Sequence, residues 1–229
     1  CIRNIEMADY DYNKYTTIYK FKINDDGSLK YNNKTKEEGS TINQFSLDEY
    51  QNNLRVALSG NEGSRIVIFD ENLKKIGSTE YLSKGERMYS TRFLENKAYM
   101  VTYKNTDPLY AIDLSIPTSP KVLGELKIPG YSTYLHPYDE NHLIGIGMET
   151  KEKVYRDSFG KVKRTTAIIT GMKMALFDVS DINNPIQISK TVIGDSRTTS
   201  AILTNHKALL FSKEKGLLAI PVNMNLILK

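Results

Sequence analysis

An all-β fold assembled from repeated four-stranded antiparallel units is what the sequence predicts, and three features predict it. First, residues 109–130, LYAIDLSIPTSPKVLGELKIPG, recur without a gap at 174–195, MALFDVSDINNPIQISKTVIGD. Asp113 falls on Asp178, Ser115 on Ser180, Pro120 on Pro185 and Ile128 on Ile193. A looser copy lies at 64–78, SRIVIFDENLKKIGS, with the apolar run again ending in an aspartate, Asp70. Recurrence of this kind signals stacked supersecondary units. Second, each copy follows a hairpin-like pair of segments, so the full unit has four strands, A to D. Third, the C strands, such as Ile66-Val67-Ile68-Phe69, are apolar on successive residues. A half-exposed strand would alternate, so these are expected to be buried on both faces.

Taken in order, residues 1–14 are polar and specify no element. Tyr15–Ile23 alternates as a strand, Asn24-Asp25-Asp26-Gly27 has turn composition, and 29–31 begins a return strand. A C–D hairpin is therefore expected over 15–32. Its carboxylates do not match the EF-hand loop and are read as turn residues. Complete units are expected near 41–80, 88–128 and 131–193, with a partial A–B–C set near 198–222. The A strands are placed at 89–94, 131–136 and 199–204, and more weakly at 42–47. Their B partners are placed at 98–101, 143–146, 208–211 and 54–57. Residues 149–168, charged and inserted between B and C of the third complete unit, are expected to form an exposed loop or an extended hairpin. Small four-stranded sheets stacked face to face around an axis bury such C strands on both sides, which is a β-propeller. A sandwich is the structural rival, but its strands would not recur in blocks of four. The chain, 1–229, is thus read as a single β-propeller domain or a fragment of one, with about four to five blades and no helix beyond about three turns.

Composition agrees. Fifteen Tyr, no Trp and many Val, Ile and Thr favour strands. The net charge of +4 is mild and no run of five basic residues occurs, so nucleic acid is not an expected partner. Cys1 is the only cysteine, which excludes a disulfide framework and an internal cysteine metal site. It is either the lipid-carrying residue of a processed lipoprotein or the first residue of a fragment, and the second reading is preferred. No signal peptide or apolar stretch of transmembrane length is present, so this segment is not expected to insert into a membrane.

A family resemblance rests on particular residues. They are Gly85-Glu86-Arg87, Asp107-Pro108-Leu109, Ile112-Asp113-Leu114-Ser115 and the run from Pro120 to Gly130. The longest match is 134–147, YLHPYDENHLIGIG, and Phe177-Asp178-Val179-Ser180, Asn184-Pro185 and Leu217-Leu218-Ala219-Ile220-Pro221 complete it. Over about 15–222 the chain resembles the secreted β-propeller family of bacteria and archaea distantly related to WD40 repeats. The resemblance implies an extracellular or cell-surface protein and part of a larger propeller. It brings no assigned reaction, cofactor or catalytic residue.

No nucleophile elbow, P-loop, HExxH or dinucleotide fingerprint is present. Gly145-Ile146-Gly147 is read as close strand packing. His136 and His142, with Asp139 and Glu140 between them, form a conceivable metal pair; an A–B turn is the simpler reading. Asp70, Asp113 and Asp178 end C strands and are expected to accept bonds from following backbone N–H groups. Replacing Asp178 by Ala is accordingly expected to weaken the fold and leave ligand binding intact. Candidate ligand contacts lie on or just before the A strands, which line a propeller's channel: Arg87, Arg92, Tyr134, His136 and Arg197. Cationic and aromatic groups at a channel mouth suit an acidic or sugar-like ligand.

The preferred functional reading is a non-enzymatic interaction module for an unknown protein or carbohydrate, without a cofactor. A hydrolase or lyase with a site assembled across the channel is the alternative, and a structural spacer the third. If the terminal units do not close a ring by pairing 15–23 with 217–222, their apolar faces and strand edges are expected to drive self-association.

Overall fold

The computed structural model describes residues 14–103 and 107–224. Cys1 lies outside them. All regular structure among the described residues is β-strand or short 3-10 turn. β1 (Tyr15–Ile23) and β2 (Leu29–Glu38) form a hairpin, longer than expected on its second strand. Three four-stranded antiparallel sheets follow, each in sequence order. The first holds β3 (Leu47–Tyr50), β4 (Asn53–Gly60), β5 (Gly63–Phe69) and β6 (Lys75–Ser78). The second holds β7 (Arg87–Leu94), β8 (Lys97–Tyr103), β9 (Asp107–Asp113) and β10 (Lys121–Ile128). The third holds β11 (Tyr131–Pro137), β12 (His142–Arg156), β13 (Val162–Asp178) and β14 (Ile186–Ile193). A hairpin of β15 (Leu210–Ser212) and β16 (Leu217–Ala219) comes last.

The continuous apolar runs are explained by the stacking. Ile66 and Ile68 of β5 face the second sheet, packing with Met88, Phe93, Ala98 and Met100. Val67 and Phe69, on the other face, pack with Val56, Leu58 and Ile18 of β1. In β9, Leu109 and Ala111 meet Leu135, Leu143, Ala175 and Phe177 of the third sheet, whereas Ile112 turns back to the first. Met172, Met174 and Leu176 of β13 then meet Phe211, Leu218 and Ile220. Each central strand is therefore buried on two sides, and the fourth strands, such as β14, stay largely exposed.

A recurring close approach joins successive sheets. A side chain at Gly77 in β6 would meet the Pro117 carbonyl oxygen at 2.1 Å and Pro120 Cδ at 3.2 Å. One at Gly124 in β10 would meet the Ile182 carbonyl oxygen at 2.3 Å and Pro185 Cδ at 2.7 Å. The fourth strand of one sheet thus receives the proline-bearing turn of the next, and glycine is what lets the backbones touch. Gly147 in β12 similarly admits the Tyr131 carbonyl, as the close-packing reading of Gly145-Ile146-Gly147 requires.

The aspartates at the ends of the third strands close the turns. Asp70 Oδ1 accepts from the backbone N–H of Asn72 at 2.8 Å and of Lys74 at 2.9 Å. Asp113 and Asp178 accept from Ser115 and Ser180, each at 2.9 Å.

Two expectations are corrected. Residues 199–204 do not form a strand paired with 208–211. Ala201–Leu203 is a 3-10 turn, a second one, His206–Ala208, follows, and the hairpin partner of β15 is β16. Ser200 Oγ caps the first turn through the Ile202 N–H, and Asn205 Oδ1 the second through the Lys207 N–H. Short polar side chains here offer the backbone a local partner in place of a ladder. The weaker expectation at 42–47 fails for the same reason: Asn43 Oδ1 accepts from Phe45 N–H at 3.0 Å, a 3-10 turn spans Gln44–Ser46, and the strand begins at Leu47. The charged insertion 149–168 is the outer part of one long hairpin, β12–β13. Among the described residues, β1 is bonded to β2 and not to 217–222, and no sheet closes a ring.

Candidate functional site

The sequence-predicted ligand contacts are sought first on the A strands, the first strand of each sheet. β7 and β11 lie side by side. Ser90 Oγ donates to the Ser132 carbonyl at 2.7 Å and Arg92 Nε to the Leu135 carbonyl at 2.8 Å. Three of the sequence-predicted residues come together in this place. The Arg92 guanidinium lies 5.4 Å from the centre of the Tyr134 ring, and the Tyr134 hydroxyl is 3.0 Å from His136 Nδ1.

Phe45, Gln44 and His206 complete the cluster and were missed in the sequence. The Arg92 guanidinium sits 3.9 Å over the Phe45 ring, a cation–π contact. Phe45 meets Tyr134 at 5.6 Å between centroids and His206 edge-on at 4.8 Å. The Gln44 amide nitrogen is 3.0 Å from His206 Nδ1, and His136 packs edge-on against Phe211 at 4.6 Å. These contacts connect the first sheet, through the turn at Gln44–Ser46, to the last segment of the chain. The signal for Phe45 was hidden because the residues around it read as a strand. His206 lies between the segments 199–204 and 208–211 that read as strands, so no strand pattern placed it.

The electrostatics follow from this packing. Burial lowers the Arg92 pKa, opposed by Tyr134. Burial raises the Tyr134 hydroxyl, opposed by Arg92. Burial, and then the nearby Arg92 charge, hold the His136 ring below the ordinary histidine range. The ring is therefore neutral at pH 7. The cavity lined by Gln44, Phe45, Tyr134, Ile202 and His206 has a volume of about 50 Å³, room for a few waters and well below the roughly 300–1,000 Å³ of a ligand pocket.

Arg87 and Arg197 are not in this cluster. Arg87 opens β7 opposite Tyr103 and is exposed. Arg197 is bound to its neighbour Asp195, Nη2 to Oδ2, at 2.9 Å. His136 and His142 do not converge on a shared point. His142 Nδ1 is 2.8 Å from Asp139 Oδ1, whose other oxygen takes Lys213 Nζ at 2.8 Å. Asp139 Oδ1 also accepts from Asn141 N–H at 3.0 Å, so this is the A–B turn. Lys213 first, then His142 and the Asn141 N–H, hold the Asp139 carboxyl well below the usual range. Among the described residues no group of three or more His, Cys, Asp or Glu is placed to hold a metal ion.

Larger cavities lie between units. One of about 330 Å³ separates β13 and β14 from the last hairpin, lined by Ile144, Met174, Leu176, Phe211 and Leu218. Another of about 510 Å³ lies between β1 and the first sheet. Both are of ligand size.

No helix among the described residues is long and apolar enough to cross a membrane. The chain is 44% identical over 184 residues to an uncharacterized protein of Methanocaldococcus jannaschii, an alignment covering 77% of this chain and 26% of that protein. It is 34% identical over 211 residues to an uncharacterized protein of Archaeoglobus fulgidus, covering 92% and 30%. The chain thus spans less than a third of the length of these relatives. The family model for a β-propeller domain matches residues 3–227. With stacked antiparallel four-stranded sheets and that match over nearly its whole length, the chain belongs to the β-propeller domain family.

Proposed function

We propose that the chain is a non-enzymatic interaction module, working outside the cell or at its surface, for a protein or carbohydrate ligand. In this reading the three four-stranded sheets are blades, and the hairpins β1–β2 and β15–β16 are parts of two more, about four to five in all. One observation carries the functional reading. The convergent cluster of Arg92, Tyr134, His136, Phe45 and His206 is packed upon itself around only about 50 Å³. Its cation is engaged by Phe45 and the Leu135 carbonyl. It works as a brace between units, which leaves the surfaces and clefts between them for recognition. Arg87, exposed, remains a surface contact available to an acidic ligand, whereas Arg197 would have to leave Asp195 to serve as one.

The hydrolase reading has one observation in its favour, the His142–Asp139 pair. That pair lies on a turn, and the Asp139 carboxylate is already shared with Lys213. A base so occupied is poorly placed to accept a substrate proton. Incubation of the purified chain with chromogenic ester, phosphoester, glycoside and peptide substrates is expected to give no turnover beyond buffer. Turnover that disappears in Asp139→Asn at unchanged melting temperature would put the hydrolase in its place. Protease treatment of intact cells is expected to cleave the protein; complete protection would overturn the surface assignment.

Self-association through a terminal unit belongs to the same reading. One face of the β1–β2 hairpin presents Tyr15, Tyr19, Phe21, Ile23, Leu29 and Tyr31, each more than half exposed. The same face carries Lys34 and Lys36 over the Tyr19 and Tyr15 rings, so its apolar part is the outer end around Phe21, Ile23, Leu29 and Tyr31, and exposed apolar surface of this kind marks an interaction surface.

A further inference from the structure

The outer part of the β12–β13 hairpin is an arm whose composition differs from the rest of the chain. Between 151 and 168 it carries six cationic side chains and two acidic ones, so it accounts for the whole +4 net charge, and the remainder is neutral. The pairing sorts these charges by face. Lys151 stands opposite Ile168, Lys153 opposite Thr166 and Tyr155 opposite Arg164. Directly opposed residues share a face, which therefore holds Lys151, Lys153 and Arg164 around Tyr155 without a carboxylate. Lys153 Nζ is 5.1 Å and the Arg164 guanidinium 4.8 Å from the centre of the Tyr155 ring, so the ring holds both cations in place. Glu152 points to the other face.

The tip is a hydrogen-bonded polar turn with one apolar side chain at its apex. Asp157 Oδ1 accepts from the N–H groups of Phe159 and Lys161, both at 2.9 Å, and Arg156 Nη1 donates to the Gly160 carbonyl at 3.0 Å. The one carboxylate at the tip is thus used inside the turn. Phe159 at the apex is 94% exposed, the highest among the exposed large apolar side chains. Lys161 closes the turn and Lys163 lies on the returning strand, and Val154 and Val162, nearly half exposed, lie just behind.

We propose that this arm is a membrane-surface contact, adsorbing to an anionic lipid bilayer with Phe159 set into the interface and the surrounding Lys and Arg on lipid phosphates. A basic segment with a bulky apolar residue gains from both terms, apolar burial and attraction to anionic headgroups. A single projecting ring needs no matching pocket in a fluid interface, which is why the bilayer is favoured over an acidic protein or polymer. The contact is peripheral and does not span the bilayer. It does not rest on the module reading above, since vesicle binding and substrate turnover are separate readouts.

The test is co-sedimentation of the purified chain with phosphatidylcholine vesicles with and without phosphatidylglycerol, at low and high salt. Binding is expected only to the anionic vesicles and is expected to weaken with salt. Lys161→Glu with Lys163→Glu should weaken it at least about tenfold, given the strength of each basic contact near such a surface. Phe159→Ser should weaken it on the order of tenfold while leaving the salt dependence in place. Unchanged melting temperatures confirm that these exposed variants remain folded. Equal binding to uncharged vesicles, no binding to either, or full binding by Phe159→Ser each overturns the proposal. So does binding to heparin, polyglutamate or single-stranded DNA without binding to vesicles, which would assign the arm to an acidic polymer.

Discussion

At the scale of single residues, the chain uses one device many times: a short polar side chain that satisfies nearby backbone N–H groups. Asp70, Asp113, Asp139, Asp157 and Asp178 all do so in turns. Their repetition at equivalent positions makes the structural role of Asp70, Asp113 and Asp178 legible in the sequence. The inner cluster was legible only in part. Arg92, Tyr134 and His136 lie on regular strands, where register places them. Phe45 and His206 reach the cluster from 3-10 turns, whose caps no strand pattern announces. His136 makes the cluster sensitive to acid. Its folded pKa is lowered, first by burial and then by Arg92, so below the unfolded value of about 6.5 the unfolded chain binds the proton more readily. The stability contributed by the neutral ring is present above that pH and lost as the pH falls through the folded value. Urea midpoints measured from pH 7 downward are expected to fall across this window, and His136→Gln should flatten that part of the curve. Asp139, also held low, loses its contribution only below about pH 4, so its effect begins at a lower pH.

At the scale of elements, the link between a fourth strand and the turn of the next sheet is what sets the spacing of units. Gly77 receives Pro117 and Pro120, and Gly124 receives Ile182 and Pro185. The prolines and aspartates of this link were visible as a repeating pattern; the glycines were not, since Ser189 stands where Gly124 would recur. Their contact across units was not, because a pattern in sequence does not say which neighbour a turn touches. Gly124→Val is expected to destabilise by about 1–3 kcal/mol, the usual cost of forcing atoms into a packed contact. The measurement is equilibrium unfolding in urea. A variant as stable as the parent would show that the contact yields without strain. The same element-level logic explains the misreading at 199–204. That segment has the hydrophobicity of a strand, but Ser200 and Asn205 stand where they cap turns.

At the scale of the whole molecule, burial comes from faces between units rather than from one central core. Four apolar layers separate five successive units. Continuous apolar runs in the third strands therefore predicted the architecture well, since only a strand enclosed on both sides has that composition. The terminal hairpin β1–β2 has one face on the first sheet, through Ile18, and the other in solvent. We expect that outer face to associate. Sedimentation velocity should show a concentration-dependent dimer or larger species. Replacing Tyr19 and Phe21 by Glu should return it to monomer at unchanged melting temperature. A monodisperse monomer at high concentration would contradict this assignment.

Among the described residues, every ladder joins strands that are consecutive in the chain. None of these ladders waits for a partner from a distant part of the described sequence. Loop closure between neighbours is inexpensive in entropy and fast, so each sheet can zip as soon as its own residues are available. During synthesis the earlier sheets can be complete before later ones leave the ribosome, with each finished face serving as a template for the next. The same independence bears on how such chains change over generations. A duplicated or lost block of four strands alters only the two faces it touches, so the number of units can drift while the rest of the molecule keeps its bonds.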